Sequence, residues 1–370
     1  MSYTGAMNSS PPFRADHVGS LLRPPELVAA RAKAKAGGIS AAELAAVEDK
    51  CVREVVAKQQ AIGFRAVTDG EYRRDFWHLD FAKQIEGVVL KRPTGMNFQA
   101  EDIPPMASVA GKLRCTKPVM TDHFAFLKSA AKKTAKLCIP APSTLHFRGG
   151  RDAISREAYP DMAEFWADAG EAWRVAIGHI AKAGCTYLQL DDVSFSYLCD
   201  DKVLGNFRAH GDDPATLPAA YAGAINAALA GRPSGMTVTM HTCRGNFRST
   251  WFAAGGYQDR VIEAMFSANV DAYFMEYDSE RAGSFATLRL LPKGKKVVLG
   301  LVTTKTGALE SKDDLKRRID AASKFVPLEN LCLSPQCGFA STHHGNALSI
   351  DEQWRKLERV VEVARDVWGE

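Results

Sequence analysis

The stretch "TVTMHTCRGN" (Thr237–Asn246) alternates apolar and hydroxyl-bearing residues, then delivers a histidine, a cysteine and an arginine. β-branched and apolar residues at period two predict a strand. Residues two apart in a strand face one side, so His241 and Cys243 project together. An imidazole beside a thiol is a zinc-type donor pair, but two donors do not hold a zinc. The rest of the chain decides whether this strand belongs to a fold that gathers more.

Seven further runs read the same way: "FRADHVG" (13–19), "FRAVTDG" (64–70), "KLCIPAP" (136–142), "TYLQLDD" (186–192), "VDAYFME" (270–276), "KVVLGLV" (296–302) and "NLCLSPQ" (330–336). Amphipathic stretches lie between them, at 40–62, 159–183, 216–230, 309–324 and 351–368, the last with Ser349 or Asp351 as its cap. Eight strand-like runs alternating with helices predict a (β/α)8 TIM barrel in the α/β class. A doubly wound sheet is the alternative, and no glycine-rich phosphate fingerprint supports it. The Pro-rich stretch within 71–135 predicts an insert after the second strand that contains a hairpin. Residues 1–12 read as a disordered tail and 13–370 as one barrel domain.

Composition narrows the function. The chain has 370 residues, 46% hydrophobic and 24% charged, with net charge +4 and no basic stripe with interleaved aromatics, so no nucleic-acid partner is expected. No apolar run reaches the roughly 18 residues of a membrane span. The first residues lack the apolar core of a signal peptide. Eight cysteines without framework spacing fit reduced thiols in a cytoplasmic protein, and a homo-oligomer is compatible with the composition.

Barrel active sites sit at the C-terminal ends of the strands. There the runs deliver Asp16, His17 and Ser20; Asp69 and Glu71; Asp191 and Asp192; His241 and Cys243; Glu276; Lys305; and Cys337. A lone histidine or cysteine is more often a satisfied core residue. Gathered at strand ends, His241, Cys243, Glu276 and Cys337 form a credible zinc set.

The segments "HTC", "MEYDSER" and "SPQCGF", with "HVGSLLRP" (17–24), "VTDGEYRRDFW" (67–77) and "LQLDDVSF" (188–195), resemble the catalytic domain of cobalamin-independent methionine synthase, in one order from about residue 13. The resemblance implies a Zn2+ held by His241, Cys243, Glu276 and Cys337 that activates the thiol of homocysteine, with Glu276 the displaceable ligand. It implies that Glu71 and Asp191 hold the amino group of the thiol substrate and that Val18, Gly19 and Ser20 bind its carboxylate. The expected activity is that of a 5-methyltetrahydropteroyltriglutamate–homocysteine methyltransferase-like enzyme of methionine biosynthesis, with a small-molecule thiol and a methyl donor as its partners.

Three departures touch the donor half. The long folate-dependent enzymes carry an extra N-terminal barrel. Their tryptophan after the third strand is replaced here by His146, Phe147 and Arg148. Their histidine proton donor after the seventh strand is replaced by Lys305, the expected catalytic group at that place. His146, Phe147 and Lys305 are expected to line the mouth, and Arg73, Arg74, Arg244 and Arg281 stand near enough in sequence to bind a carboxylate or sulfonate. Alternatives are zinc-dependent alkyl transfer to another thiol such as coenzyme M, with epoxide opening, or a non-catalytic zinc-binding barrel.

Overall fold

The computed structural model describes residues 10–91, 105–253 and 255–369. Its strands in chain order are β1 (Ala66–Val67), β2 (Glu86–Lys91), β3 (Met106–Arg114), β4 (Thr134–Pro140), β5 (Tyr187–Asp192), β6 (Thr237–Thr242), β7 (Asn246–Phe247), β8 (Thr250–Trp251), β9 (Ala272–Glu276), β10 (Lys296–Val302) and β11 (Leu331–Pro335). Seven of them form one curled parallel sheet in the order β1-β4-β5-β6-β9-β10-β11. Helices cover its outer face, giving the TIM-barrel architecture.

The first run is the exception to eight regular strands. Residues 13–19 make one parallel bridge, Ala15 to Leu333. Asp16 N donates to Leu333 O at 3.0 Å and Leu333 N to Arg14 O at 2.8 Å. On the other side Thr68 Oγ1 donates to Gly19 O at 2.7 Å, and Leu21 N to Gly70 O at 3.0 Å. The segment therefore lies between the last strand and the first without completing a ladder.

Period-two alternation sorts the strand residues. Leu137, Leu188, Leu190, Val238, Met240, Tyr273, Met275, Val297 and Leu299 join the main apolar core beneath the helices. The intervening residues face inward. Val18, Phe274, Val298 and Cys332 cluster there, as do Phe13, Ala66 and Tyr187. Lys136 and Asp16, both fully buried, are paired at 3.1 Å, and Tyr187 Oη donates to Asp16 at 2.8 Å. Asp191, His241 and Glu276 belong to this inward set, which aims them at the mouth.

The helices begin and end where side chains stop them. Ser40 with Glu43, and Ser349 with Glu352, form capping boxes for Ala41–Ile62 and Ile350–Trp368, so Ser349 rather than Asp351 is the cap of the last helix. Antiparallel pairing of β2 with β3 builds a hairpin outside the sheet after β1; its turn lies outside the described residues, as does most of the 1–12 segment. No described helix is long and apolar enough to cross a membrane.

Candidate active site

β6 carries His241 to the mouth, and Cys243 follows one residue past the strand, its N–H donating to Asp192 O at 2.6 Å. Glu276 ends β9, and Cys337 lies two residues beyond β11. The four donor atoms all lie within 4.8 Å of one another, and all four residues are buried. Cys243 Sγ and Cys337 Sγ are 3.5 Å apart. His241 Nε2 stands 3.4 Å from Glu276 Oε1, while Nδ1 faces Asp191 Oδ1 at 3.4 Å. A carboxylate behind one imidazole nitrogen frees the other for a metal.

The cluster concentrates negative potential. Burial opposes charging His241, yet the facing carboxylates of Asp191 and Glu276, each 3.4 Å away, raise its pKa to about 10. Burial would push Glu276 up, but His241, Lys305 and Arg281 together bring it down to about 2. Cys243 is pushed up by its hydrogen bond with Cys337 and by burial; that same bond pulls Cys337 down. Glu276 Oε1 is buried with no hydrogen-bond partner. Two thiols, an imidazole and an unsatisfied carboxylate oxygen are a donor set that suits a zinc ion.

Beside the cluster opens a cavity of about 200 Å³ that Cys243, Cys337, Glu71, Asp191, Val18 and Ser20 all line. Glu71 stands at φ 58°, a left-handed backbone that turns its carboxylate inward, and Asp69 Oδ1 accepts its N–H at 2.8 Å. Burial pushes Glu71 up, Arg74 pulls it back, and neighbouring Asp191 pushes it up again, leaving it near 7. Arg74 is hydrogen-bonded to Glu71 through Nε. Gln189 Nε2 donates both to Asp191 Oδ1 and to Val18 O at 2.7 Å, tying the carboxylate to the 18–20 loop. Gly19 is required there: a Cβ would come 2.5 Å from Glu71 Oε1 and 2.7 Å from Cys138 Sγ, at a φ of +141°.

Two expected mouth residues lie elsewhere. His146 turns into the wall, between Tyr221 Oη at 2.9 Å and Asp212 Oδ1 at 3.1 Å. Lys305 is hydrogen-bonded to Gln336 Oε1, lies 3.9 Å from Asp278, and is not among the cavity-lining residues. Of the arginines, Arg74 lines the cavity; Arg73 pairs with Glu48 and Asp49; Arg244 is buried on Tyr257; Arg281 lies 3.8 Å from Glu276. Reasoning from sequence did not assign Trp77, Tyr197 or Asn246 to the site, yet all three line it. Trp77 closes "VTDGEYRRDFW" and Asn246 closes "TVTMHTCRGN"; Tyr197 carries no spacing signal.

These features define a (β/α)8 barrel with a sulfur-rich donor centre beside a cavity at its C-terminal mouth. The model of the cobalamin-independent synthase catalytic domain matches residues 13–366, and the chain belongs to that family. The uncharacterized protein YxjH of Bacillus subtilis (strain 168) is 46% identical over 362 residues, 96% of this chain and 95% of the relative. A crystal structure from Listeria monocytogenes, described as a candidate vitamin-B12-independent methionine synthase, matches with TM-score 0.76 and 38% identity over 97% of this chain and 99% of that one. The B12-independent methionine synthase of Shewanella sp. W3-18-1, in complex with selenomethionine, shares the fold at TM-score 0.70 and 18% identity, covering 95% of this chain and 96% of that one. The family is one of methyl transfer of the methionine synthase type.

Proposed function

We propose that this protein is a cytoplasmic, zinc-dependent methyltransferase that moves a methyl group to the sulfur of homocysteine, giving methionine. The observation that carries the reading is the convergence of four donor atoms within 4.8 Å of one another, three of them on residues (His241, Cys243 and Cys337) that line a cavity together with Glu71 and Asp191. His241, Cys243, Glu276 and Cys337 would hold the zinc. Bound there, zinc favours the thiolate over the thiol and so supplies a nucleophile at neutral pH.

The chain's own residues do the rest. Glu71 and Asp191 bind the substrate ammonium, and the 18–20 loop receives the carboxylate, which fixes the sulfur relative to Cys243 and Cys337. Glu276, whose Oε1 faces His241 Nε2 at 3.4 Å without a hydrogen bond, would be the displaceable member of the set. Lys305 acts on Glu276 through its charge, helping to keep the carboxylate ionised. Phe147 and Tyr197, both buried, shield the inner part of the cavity from water.

Alkyl transfer to coenzyme M fits less well, because it would set a sulfonate beside two carboxylates. A storage site fits less well too, because His241, Cys243 and Cys337 open onto a cavity. The test is metal analysis with homocysteine titration of the zinc-loaded protein. Near one zinc per chain and homocysteine-dependent change in a cobalt-substituted absorption spectrum are expected. A full zinc load with no response to homocysteine would overturn the reading.

A further inference from the structure

Four aromatic side chains make a continuous wall in the cavity. Trp77 and Phe147 stand 6.2 Å apart between ring centroids, Phe147 and Tyr197 5.7 Å, and Tyr197 and Phe252 4.8 Å, and all four line the cavity. Arg148 lines it as well, its guanidinium carbon 5.1 Å from the Phe147 ring centroid. Arg74, by contrast, is committed to Glu71.

Among the described residues Arg148 makes no ion pair and no hydrogen bond, and burial holds its pKa below the usual guanidinium range. Arg148 is half-buried against the Phe147 ring, so its charge is neither neutralised by a protein anion nor withdrawn from the cavity. Its place in the cavity makes it half of a pair whose other half is an anion on a ligand. In the reading above the 18–20 loop takes the homocysteine carboxylate and Glu71 with Asp191 its ammonium, so this anion belongs to the second substrate.

The wall adds a second constraint. Aromatic faces attract methylated onium centres, and a cage of several rings is the usual receptor for a quaternary ammonium. Size adds a third: about 200 Å³ is below the roughly 300–1,000 Å³ of sites for drug-sized ligands, and homocysteine must share the space.

We propose that the methyl donor is a compact zwitterion, an onium carboxylate, with its methylated sulfonium or quaternary ammonium centre against Trp77, Phe147, Tyr197 and Phe252 and its carboxylate on Arg148. This rests on the methyltransferase reading above. The homocysteine sulfur attacks one methyl carbon of the onium centre. An S–C bond forms, the bond from that carbon to the cationic sulfur or nitrogen breaks, and its electron pair stays on the leaving heteroatom. The donor departs as a thioether or tertiary amine, neutral at that atom, and the thiol proton goes to solvent. The leaving group needs no acid, which agrees with Lys305 lying off the cavity lining.

The test titrates the full-length zinc-loaded protein calorimetrically with glycine betaine, dimethylsulfonioacetate and the methyl ester of each. At least one zwitterion should bind about tenfold or more tightly than its ester, the loss expected when a charge-assisted pair is removed. Arg148→Gln should erase that preference and Arg148→Lys restore part of it. Homocysteine affinity should stay unchanged in Arg148→Gln, which also shows that the variant is folded. Methionine formation from one zwitterion but not the other identifies the onium centre. Binding of neither zwitterion, equal binding of acid and ester, or a preference that survives Arg148→Gln overturns the proposal. So does efficient transfer from methyl-folate that improves steeply from one glutamate to three. Failure of the wild-type protein to bind homocysteine at all overturns the underlying methyltransferase reading instead.

Discussion

Replacing Asp191 with asparagine tests the assignment of the amino-group site. Asp191 is 8% exposed, lines the cavity and accepts from Gln189 Nε2 at 2.7 Å. Unit charges about 4 Å apart at an effective dielectric near 20 interact by about 4 kcal/mol. Removing one partner of a buried charged pair commonly costs about 3–5 kcal/mol. Glu71 remains beside the ammonium, so the lower end applies: about 3 kcal/mol, or roughly 150-fold in Kd. Calorimetry should therefore show homocysteine binding weakened by about two orders of magnitude. Binding of 4-mercaptobutyrate, the same thiol acid without the amine, should change by less than about threefold, a few tenths of a kcal/mol. Asp191 also faces His241 Nδ1 at 3.4 Å, and losing such a partner commonly costs about 10–100-fold in metal affinity. Zinc content is therefore measured in the same samples, at saturating metal. Equal losses for the two thiols at full metal load would show that Asp191 serves the imidazole and not the substrate.

Three further outcomes follow from the same geometry. Cys337→Ser should lower bound zinc well below one per chain by metal analysis, as should Cys243→Ser; full occupancy in both would remove them from the ligand set. Lys136→Met leaves Asp16 buried with only neutral partners, so chemical denaturation should show a loss of about 3 kcal/mol, partly recovered by Asp16→Asn in the same chain; an unchanged midpoint would refute the pairing. His17, buried against Phe64, has its pKa lowered from 6.5 to about 4 by burial first and by Lys136 second. Its neutral form is the folded one, so its contribution is present above pH 6.5 and lost as pH falls toward 4. Between those limits the wild-type protein should lose about 3 kcal/mol more stability than His17→Phe, and parallel pH profiles would contradict this.

Much of the barrel was legible because inward and outward residues alternate at period two on strands walled by helices, as in "YLQLDD" and "VVLGLV". The first run misled because Asp16 is buried for its pairing with Lys136 and Tyr187, His17 is buried against Phe64, and only Ala15 takes a ladder position. The second shortened to Ala66–Val67, since Gly70 and Glu71 at positive φ turn the chain away, and a glutamate does not advertise a left-handed backbone. Donor residues were readable because strand ends fix where they go. His146 and Lys305 were misplaced because both follow a strand by several residues. There the chain enters an irregular turn, and sequence spacing no longer sets direction. Arg148 owes its place in the cavity to the same kind of turn, and Tyr197 to the short helix Ser194–Tyr197 that follows β5.

The bridge between the first run and the last strand has a consequence for synthesis on the ribosome. Arg14 Nη1 donates to Leu331 O across 317 residues of chain, and Ser20 meets Phe339 and Ala340 across a similar span. At roughly 5–20 residues per second, the strand that receives residues 13–19 emerges some 15–60 s after them. Until then Val18 and Phe13 have no interior to enter, and the carboxylate loop has no floor. The helices and middle strands can pack earlier, but neither the thiol centre, which waits for Cys337, nor the substrate loop can form. Competence for the proposed binding of metal and homocysteine would therefore come at the end of folding, and a nascent chain stalled before β11 would expose an open barrel edge to chaperones.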